Sequence, residues 1–248
     1  MELQEKIKEI EERENIRVLH AVESGSRAWG FESPDSDFDV RFIYARPKEF
    51  YLRLDKTRDV IEWQLDEVLD INGWDLQKTL RLIHSSNPTI FEWNNSPIIY
   101  KTTPEWAYVK AEMPNYFSIK SGAYHYYSTS VSNYKTHFKG ETVKLKKYFY
   151  VLRPLLACKW ILDKKTIPPM LFSKLADTEL NSEIKRVVDN LLSLKMQTSE
   201  IGESKHIEKL DKYIEQNLDK LKVEIESLPT EHKANWDDLN KLFLNIII

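Results

Sequence analysis

Apolar residues first recur every three to four positions, at Leu3, Ile7 and Ile10 within an otherwise charged Met1 to Glu14, a spacing that predicts an amphipathic helix. Ile16 to Val22 then gathers β-branched and apolar residues and is predicted as a strand. Glu23 to Gly30, followed by the polar run Glu32 to Ser36 with Pro34, reads as turn and loop. From Asp37 to Tyr44 the period drops to two, with Asp37, Asp39 and Arg41 on one side and Phe38, Val40 and Phe42 on the other. This strand has one apolar face and one functional face.

Arg58 to Asp70 carries Val60, Ile61, Trp63 and Leu65 among acids and reads as strand, and Asp70 to Trp74 as a further short strand or bulge. Asp75 can cap a helix carrying Leu76, Leu80 and Ile83, which Asn87-Pro88 closes. Pro97 to Pro104 reads as the way out of this α/β unit. From about Lys110 the pattern turns helical, first aromatic and basic (Tyr116 to Lys165), then charged and rich in Leu and Ile (Leu175 to Leu228), with a last helix in Thr230 to Ile248. No repeat of solenoid length is present. The expected fold class is α+β, a mixed sheet with flanking helices over residues 1–109, followed by an all-helical domain over 110–248.

The chain has 248 residues, enough to bury a sizeable core without a disulfide or metal staple. Cys158 is the single cysteine, which excludes an intrachain disulfide framework and a cysteine-based zinc cluster. No stretch approaches the ~20 apolar residues of a membrane span, and the charged amino terminus is unlike a signal peptide. A reducing, cytoplasmic setting with no membrane partner is therefore expected. The net charge of −3 is unevenly spread: −6 over residues 1–110, +8 over 111–174 and −5 over the remainder. An acidic part suited to holding cations is joined to a basic part suited to a polyanion.

The functional face of the Asp37–Tyr44 strand gives this charge pattern a chemistry. Asp37 and Asp39, two apart on a strand, stand about 7 Å apart at the backbone on one face, near enough to share a pair of divalent ions roughly 4 Å apart. Magnesium takes hard oxygen ligands and few protein carboxylates, leaving room for substrate phosphates and water. Gly25-Ser26, between a strand and a helix, lets backbone N–H groups and a hydroxyl approach triphosphate oxygens, and Arg27 can add a charge-assisted contact. The six histidines lack ligand spacing such as His-x3-His, which argues against zinc. Ser24 and Ser26 lack a hydrolase elbow. A glycosyltransferase also uses Asp-x-Asp, but the upstream Gly-Ser element argues against it.

An apolar strand, Gly-Ser, ten residues and Asp-apolar-Asp together resemble the DNA polymerase β-like nucleotidyltransferase superfamily. Gly25-Ser26-Arg27-Ala28-Trp29-Gly30-Phe31, Ser33-Pro34-Asp35-Ser36-Asp37-Phe38-Asp39-Val40-Arg41, Asn72-Gly73-Trp74-Asp75-Leu76, Ser86-Asn87-Pro88 with Glu92-Trp93, Ser96-Pro97-Ile98 and Leu152-Arg153-Pro154-Leu155-Leu156-Ala157 resemble the RlaP/YcgL family of predicted nucleotidyltransferases over roughly residues 15–175. The resemblance implies a mixed sheet flanked by helices, Gly25 and Ser26 at the triphosphate of an NTP, and Asp37 and Asp39 at Mg²⁺ or Mn²⁺. It also implies a third carboxylate from a neighbouring strand, which activates the acceptor hydroxyl. Asp70 is the first choice for both catalysis and metal, with Asp75 and Glu62 in reserve and Asp75 equally readable as a helix cap.

Between Tyr116 and Tyr150 ten Phe and Tyr residues and two His interleave with Lys, a pattern suited to base stacking and phosphate attraction. On a helix Lys144, Lys147, Tyr148 and Val151 share one face, while Lys146, Tyr150 and Arg153 share another. One face packs and the other receives phosphate, so Lys144, Lys147, Tyr148 and Arg153 join the candidate nucleotide-binding residues. Three functions compete: transfer of a nucleoside monophosphate to an RNA end, transfer to a protein hydroxyl, and a non-catalytic nucleotide or RNA sensor. Cys158 is expected to be a buried apolar residue.

Overall fold

A computed structural model describes residues 2–33, 36–64, 69–197, 202–229 and 234–247. Met1, Pro34, Asp35, Leu65, Thr230 and Ile248, each named above, lie outside the described residues, as does His232, one of the six histidines. Packing divides the chain into two compact units, one of Met1–Ala28, Asp37–Phe117 and Lys233–Ile248, the other of Trp29–Ser36 and Ser118–His232.

The first unit is built on a five-stranded sheet in the order β3-β4-β2-β1-β5. Its elements in chain order are α1 (Glu2–Glu14), β1 (Arg17–Glu23), α2 (Gly25–Trp29, whose last residue packs with the other unit), β2 (Phe38–Ala45), α3 (Lys48–Tyr51), β3 (Val60–Gln64), β4 (Leu69–Asp75), α4 (Leu76–His84), α5 (Pro88–Asn94), β5 (Ile99–Thr102) and α6 (Pro104–Glu112). β2 and β4 run parallel, and every other pairing in the sheet is antiparallel. Ile7 and Ile10 of α1 pack on Val18 and Ala21 of β1, Val40, Phe42 and Tyr44 of β2, Ile61 and Ile71, which accounts for the three-to-four spacing in the amino-terminal segment. His20, on β1, is buried and stacks on Trp106 of α6 (centroids 5.1 Å apart). β1 is buried along nearly its whole length because both sheet faces are covered.

Several features differ from the pattern-based reading, beginning with the short helix α2 inside a segment read as turn and loop. The segment Pro97 to Pro104, read as an exit, contains β5, which pairs antiparallel with β1. The carboxy-terminal helix α12 (Asp237–Ile247) packs with the sheet unit rather than extending the helical one. Its anchors are specific: Trp236 lies flat on His84 (3.6 Å, 6°), Phe243 meets Tyr51 (5.0 Å), and Arg17 Nη2 donates to the Ile246 carbonyl (3.0 Å). The division is therefore discontinuous in sequence, where the pattern suggested one cut between residues 109 and 110.

The second unit is helical: α7 (Ile119–His137), α8 (Lys146–Lys164), α9 (Phe172–Glu179), α10 (Ser182–Gln197) and α11 (Glu208–Glu226). A small ladder of β6 (Thr142–Lys144) on β7 (Glu203–Lys205) interrupts the helices, an element absent from the all-helical expectation. α8 is the central helix, burying Tyr148, Phe149, Val151, Leu152, Leu155, Leu156, Cys158 and Ile161 among others. The Trp29–Ser36 loop belongs here because Phe31 is fully buried between Phe149 (5.1 Å) and Phe172 (5.4 Å), and Lys195 Nζ donates to its carbonyl (2.7 Å). Among the described residues no helix is long and apolar enough to cross a membrane.

Candidate active site

The site sits at one end of the sheet, where β1 ends, β2 begins and β4 begins. β2 and β4 are in register, and Asp39 lies directly beside Asp70. Asp37 precedes β2 and is exposed. Burial raises the Asp39 pKa most, the Arg41 guanidinium opposes the rise, and the charges of Asp70 and then Asp37 add to it. Arg41, also on the functional face, donates from Nη2 to Asp39 Oδ1 (3.1 Å) and to Asp70 Oδ2 (2.7 Å).

Gly25 explains the Gly-Ser element in atomic terms. Its φ is +64°, and a Cβ built on it would lie 2.1 Å from Asp39 Oδ2. Only a residue without a side chain lets the start of α2 close over the Asp39 carboxylate. Two further contacts hold the strand there: the Ser24 N–H donates to the Asp39 carbonyl (2.8 Å), and the Asp39 N–H donates to Glu23 Oε1 (2.7 Å). Ser26 follows in the same short helix, and Arg27 Nε donates to the Asp37 carbonyl (3.1 Å) while its guanidinium covers the Phe38 ring (3.9 Å).

Glu23 is a further residue of the site that the sequence pattern does not single out. It is fully buried, its other oxygen accepts from the Tyr100 hydroxyl, and its carbonyl accepts from Ser96 Oγ (2.6 Å). Burial raises its pKa, and the Tyr100 and Asp39 hydrogen bonds oppose the rise. The available signal was an acid closing an otherwise apolar strand immediately before Ser-Gly-Ser. The alternation of β2 places Arg41 on the functional face but by itself assigns it no role.

The reserve carboxylates lie elsewhere. Asp75 is buried at the opposite end of β4, where Oδ1 accepts from the Gln77 N–H (2.7 Å) and Oδ2 from the Tyr51 hydroxyl (2.9 Å). It is the N-cap of α4. Glu62, on β3, is exposed and 3.6 Å from Arg58. Of the three candidates, Asp70 is the one brought beside Asp39.

The residues of the helical unit separate likewise. Lys144 is exposed on β6, outside the helix on which it was expected. Tyr148 is fully buried, its hydroxyl donating to Asp211 Oδ1 (2.7 Å) and accepting from the Ile207 N–H (2.8 Å), so that hydroxyl serves the packing of the unit. Lys147 lies over the Tyr150 ring (4.6 Å), and its pKa is lowered by burial and then by Lys146 and Lys144. Arg153 is buried with its guanidinium over Trp29 (4.5 Å), which meets Tyr150 edge-on. Cys158 is buried and its thiol is pushed up to about 12.

Among the described residues no group of three or more His, Cys, Asp or Glu side chains is arranged to hold a metal ion. Two hard carboxylates in register, already bridged by a guanidinium, are nevertheless a donor set that fits magnesium, which takes few protein ligands.

Residues 1–245 match the family described as RlaP, RNA repair pathway DNA polymerase beta family. The chain belongs to this family. Its similarity to the Bacillus subtilis (strain 168) protein named "Uncharacterized protein YcgL" is 41% identity, covering 98% of this chain and 94% of that one. Among solved structures, a nucleotidyltransferase-like protein from Exiguobacterium sibiricum 255-15 is 12% identical, covering 98% of this chain and 79% of that one at a TM-score of 0.30.

Proposed function

We propose that this protein is a metal-dependent nucleotidyltransferase that moves a nucleoside monophosphate from an NTP to the hydroxyl of an RNA end. The observation carrying the reading is the seat of Asp39, closed by Gly25 on one side and in register with Asp70 on the other. Gly25, Ser26 and Arg27 receive the triphosphate, since a short helix start with a glycine and a hydroxyl suits phosphate oxygens. Asp39 and Asp70 would hold Mg²⁺ or Mn²⁺, with Asp37, exposed just before β2, a further ligand once its side chain turns towards them; the metal when bound neutralises charge gathering on the phosphorus oxygens. The acceptor oxygen forms a bond to the α-phosphorus, the bond to the β-phosphate oxygen breaks, and pyrophosphate leaves. Asp70, whose side chain is 55% exposed, takes the hydroxyl proton.

RNA is favoured as acceptor by the family's description and by the excess of positive charge over residues 111–174. Lys146 and Lys144 lie close enough to Lys147 to add to the lowering of its pKa by burial. Lys144 and Lys147 supply phosphate contacts in this reading, while Arg153 is buried over Trp29. Incubation with each labelled NTP, Mg²⁺ or Mn²⁺ and tRNA or short RNA is expected to label the RNA. If the folded protein labels no RNA with any of the four, the RNA reading fails, and a nucleotide-sized mass increment on a protein would assign the acceptor as a protein hydroxyl. Nucleotide binding without transfer to either would indicate a sensor.

A further inference from the structure

Arg41 places one nitrogen between two carboxylates of adjacent strands. Nη2 is 3.1 Å from Asp39 Oδ1 and 2.7 Å from Asp70 Oδ2, while Nη1 donates to the carbonyls of Val40 and Asp70, both at 3.1 Å. This is the seat that a cation shared by the two acids would take. The surroundings leave Asp39 little freedom: its N–H is held by Glu23, its carbonyl by the Ser24 N–H, and Oδ2 faces Gly25. The side chains of Arg41 and Asp70 can move without unpairing the sheet, whereas the Asp39 carboxylate is closed in by Gly25, and Nη2 occupies the Oδ1 atom that a metal seated on Asp39 needs. A guanidinium and a divalent ion repel each other and need the same oxygens, so they compete.

We infer that Arg41 is a resident counter-cation, which holds Asp39 and Asp70 together in the metal-free protein and must withdraw before a divalent ion binds between them. The inference rests on the metal site described under Proposed function. It makes metal affinity the balance of an exchange rather than of simple addition. It also gives the third carboxylate two states: bridged to Arg41 when no metal is present, and relieved of the Nη2 hydrogen bond when the acceptor's proton is to be taken. The released guanidinium remains on the functional face of β2, among the groups proposed to receive the triphosphate.

Mn²⁺ binding to the full chain, measured without nucleotide from the electron paramagnetic resonance signal of the free ion, tests this directly. Arg41→Gln is expected to bind Mn²⁺ at least about tenfold more tightly than wild type, a difference of about 1.4 kcal/mol. Arg41→Lys keeps the charge but lacks the planar fork that spans two carboxylates, so its affinity is expected to lie between the two and to remain informative if Arg41→Gln does not fold. Affinity unchanged or weakened in the folded variants overturns the inference, because Arg41 would then support the metal or ignore it. Asp39→Asn separates the two levels of the argument. If it binds Mn²⁺ like wild type, the metal site itself is misplaced and the role of Arg41 falls with it; if it loses Mn²⁺ while Arg41→Gln shows no gain, only the exchange is refuted.

Discussion

Gly25→Ala is the sharpest single test of the site. The new Cβ would stand 2.1 Å from Asp39 Oδ2 and 2.9 Å from Asp39 Cγ, at a residue whose φ is +64°. An L-residue in this left-handed region costs about 1–2 kcal/mol. The clash adds to that cost, because Asp39 cannot retreat while Glu23 and Ser24 hold its backbone at 2.7 and 2.8 Å. The carboxylate must instead swing by roughly 1 Å, and a misplacement of that size can lower a rate about 10²-fold. Gly73→Ala is the control, since its Cβ would meet the Phe42 ring at 2.2 Å, an overpacking of the sheet core away from the acids that costs about 1–3 kcal/mol. Denaturant melts and labelled-NTP transfer are measured on both variants. The two are expected to lose comparable stability, with Gly25→Ala losing transfer at least about tenfold more than Gly73→Ala. Equal transfer in the two variants would refute the claim that Gly25 exists to admit Asp39.

Asp70→Asn is expected to cut transfer by about 10²-fold or more with stability within about 0.5 kcal/mol. Asp75→Ala is expected to cost about 0.5–2 kcal/mol through loss of the α4 cap while leaving transfer unchanged, and the opposite pattern in rate and melting would exchange their roles. Burial, with Lys110 nearby, lowers the His20 pKa from 6.5 to about 4, so the unfolded chain binds the extra proton as pH falls through that window. Stability is therefore expected to be full above pH 6.5 and to drop by about 3 kcal/mol towards pH 4; urea unfolding of wild type and His20→Gln across this range checks it, and equal slopes would remove His20 as the cause. Tyr148→Phe is expected to cost about 1–3 kcal/mol by leaving the Ile207 N–H and Asp211 short of a partner, with no change in the NTP concentration giving half-maximal transfer. A rise in that concentration at unchanged stability would return Tyr148 to the nucleotide site.

What could be read from sequence was local. Alternation across Phe38–Val40–Phe42 displayed the Asp39 and Arg41 face, and the Leu76, Leu80 and Ile83 spacing displayed α4, because period alone determines which side chains share a face. The rest depended on pairing between distant segments. Asp70 and Asp75 lie on the same strand about 17 Å apart at ~3.3 Å per residue, and only the parallel register of β4 on β2 decides which end meets Asp39. Glu23 looked like the end of a strand because its work, accepting the Asp39 N–H, is done sixteen residues away. β5, β6 and β7 have four, three and three residues, too few for alternation to stand out from a loop.

The two acids of the Asp-x-Asp pair, equal in sequence, are unequal in the structure. β2 begins at Phe38, so Asp39 is held by strand pairing while Asp37 stands before the ladder starts. Asp39 is half-buried, its backbone engaged on both sides and its carboxylate in contact with Arg41 and Gly25. Asp37 is exposed and is tied through its carbonyl to Arg27, at the start of the same helix that follows Gly25. One acid is thus fixed to the sheet and the other to α2. If α2 receives a triphosphate as proposed, its movement would be carried to Asp37 through Arg27, whereas Asp39 keeps the position that Glu23 and the sheet impose. The pair therefore consists of one carboxylate held by the sheet and one coupled to α2, a division that an Asp-x-Asp motif on an uninterrupted strand would not produce.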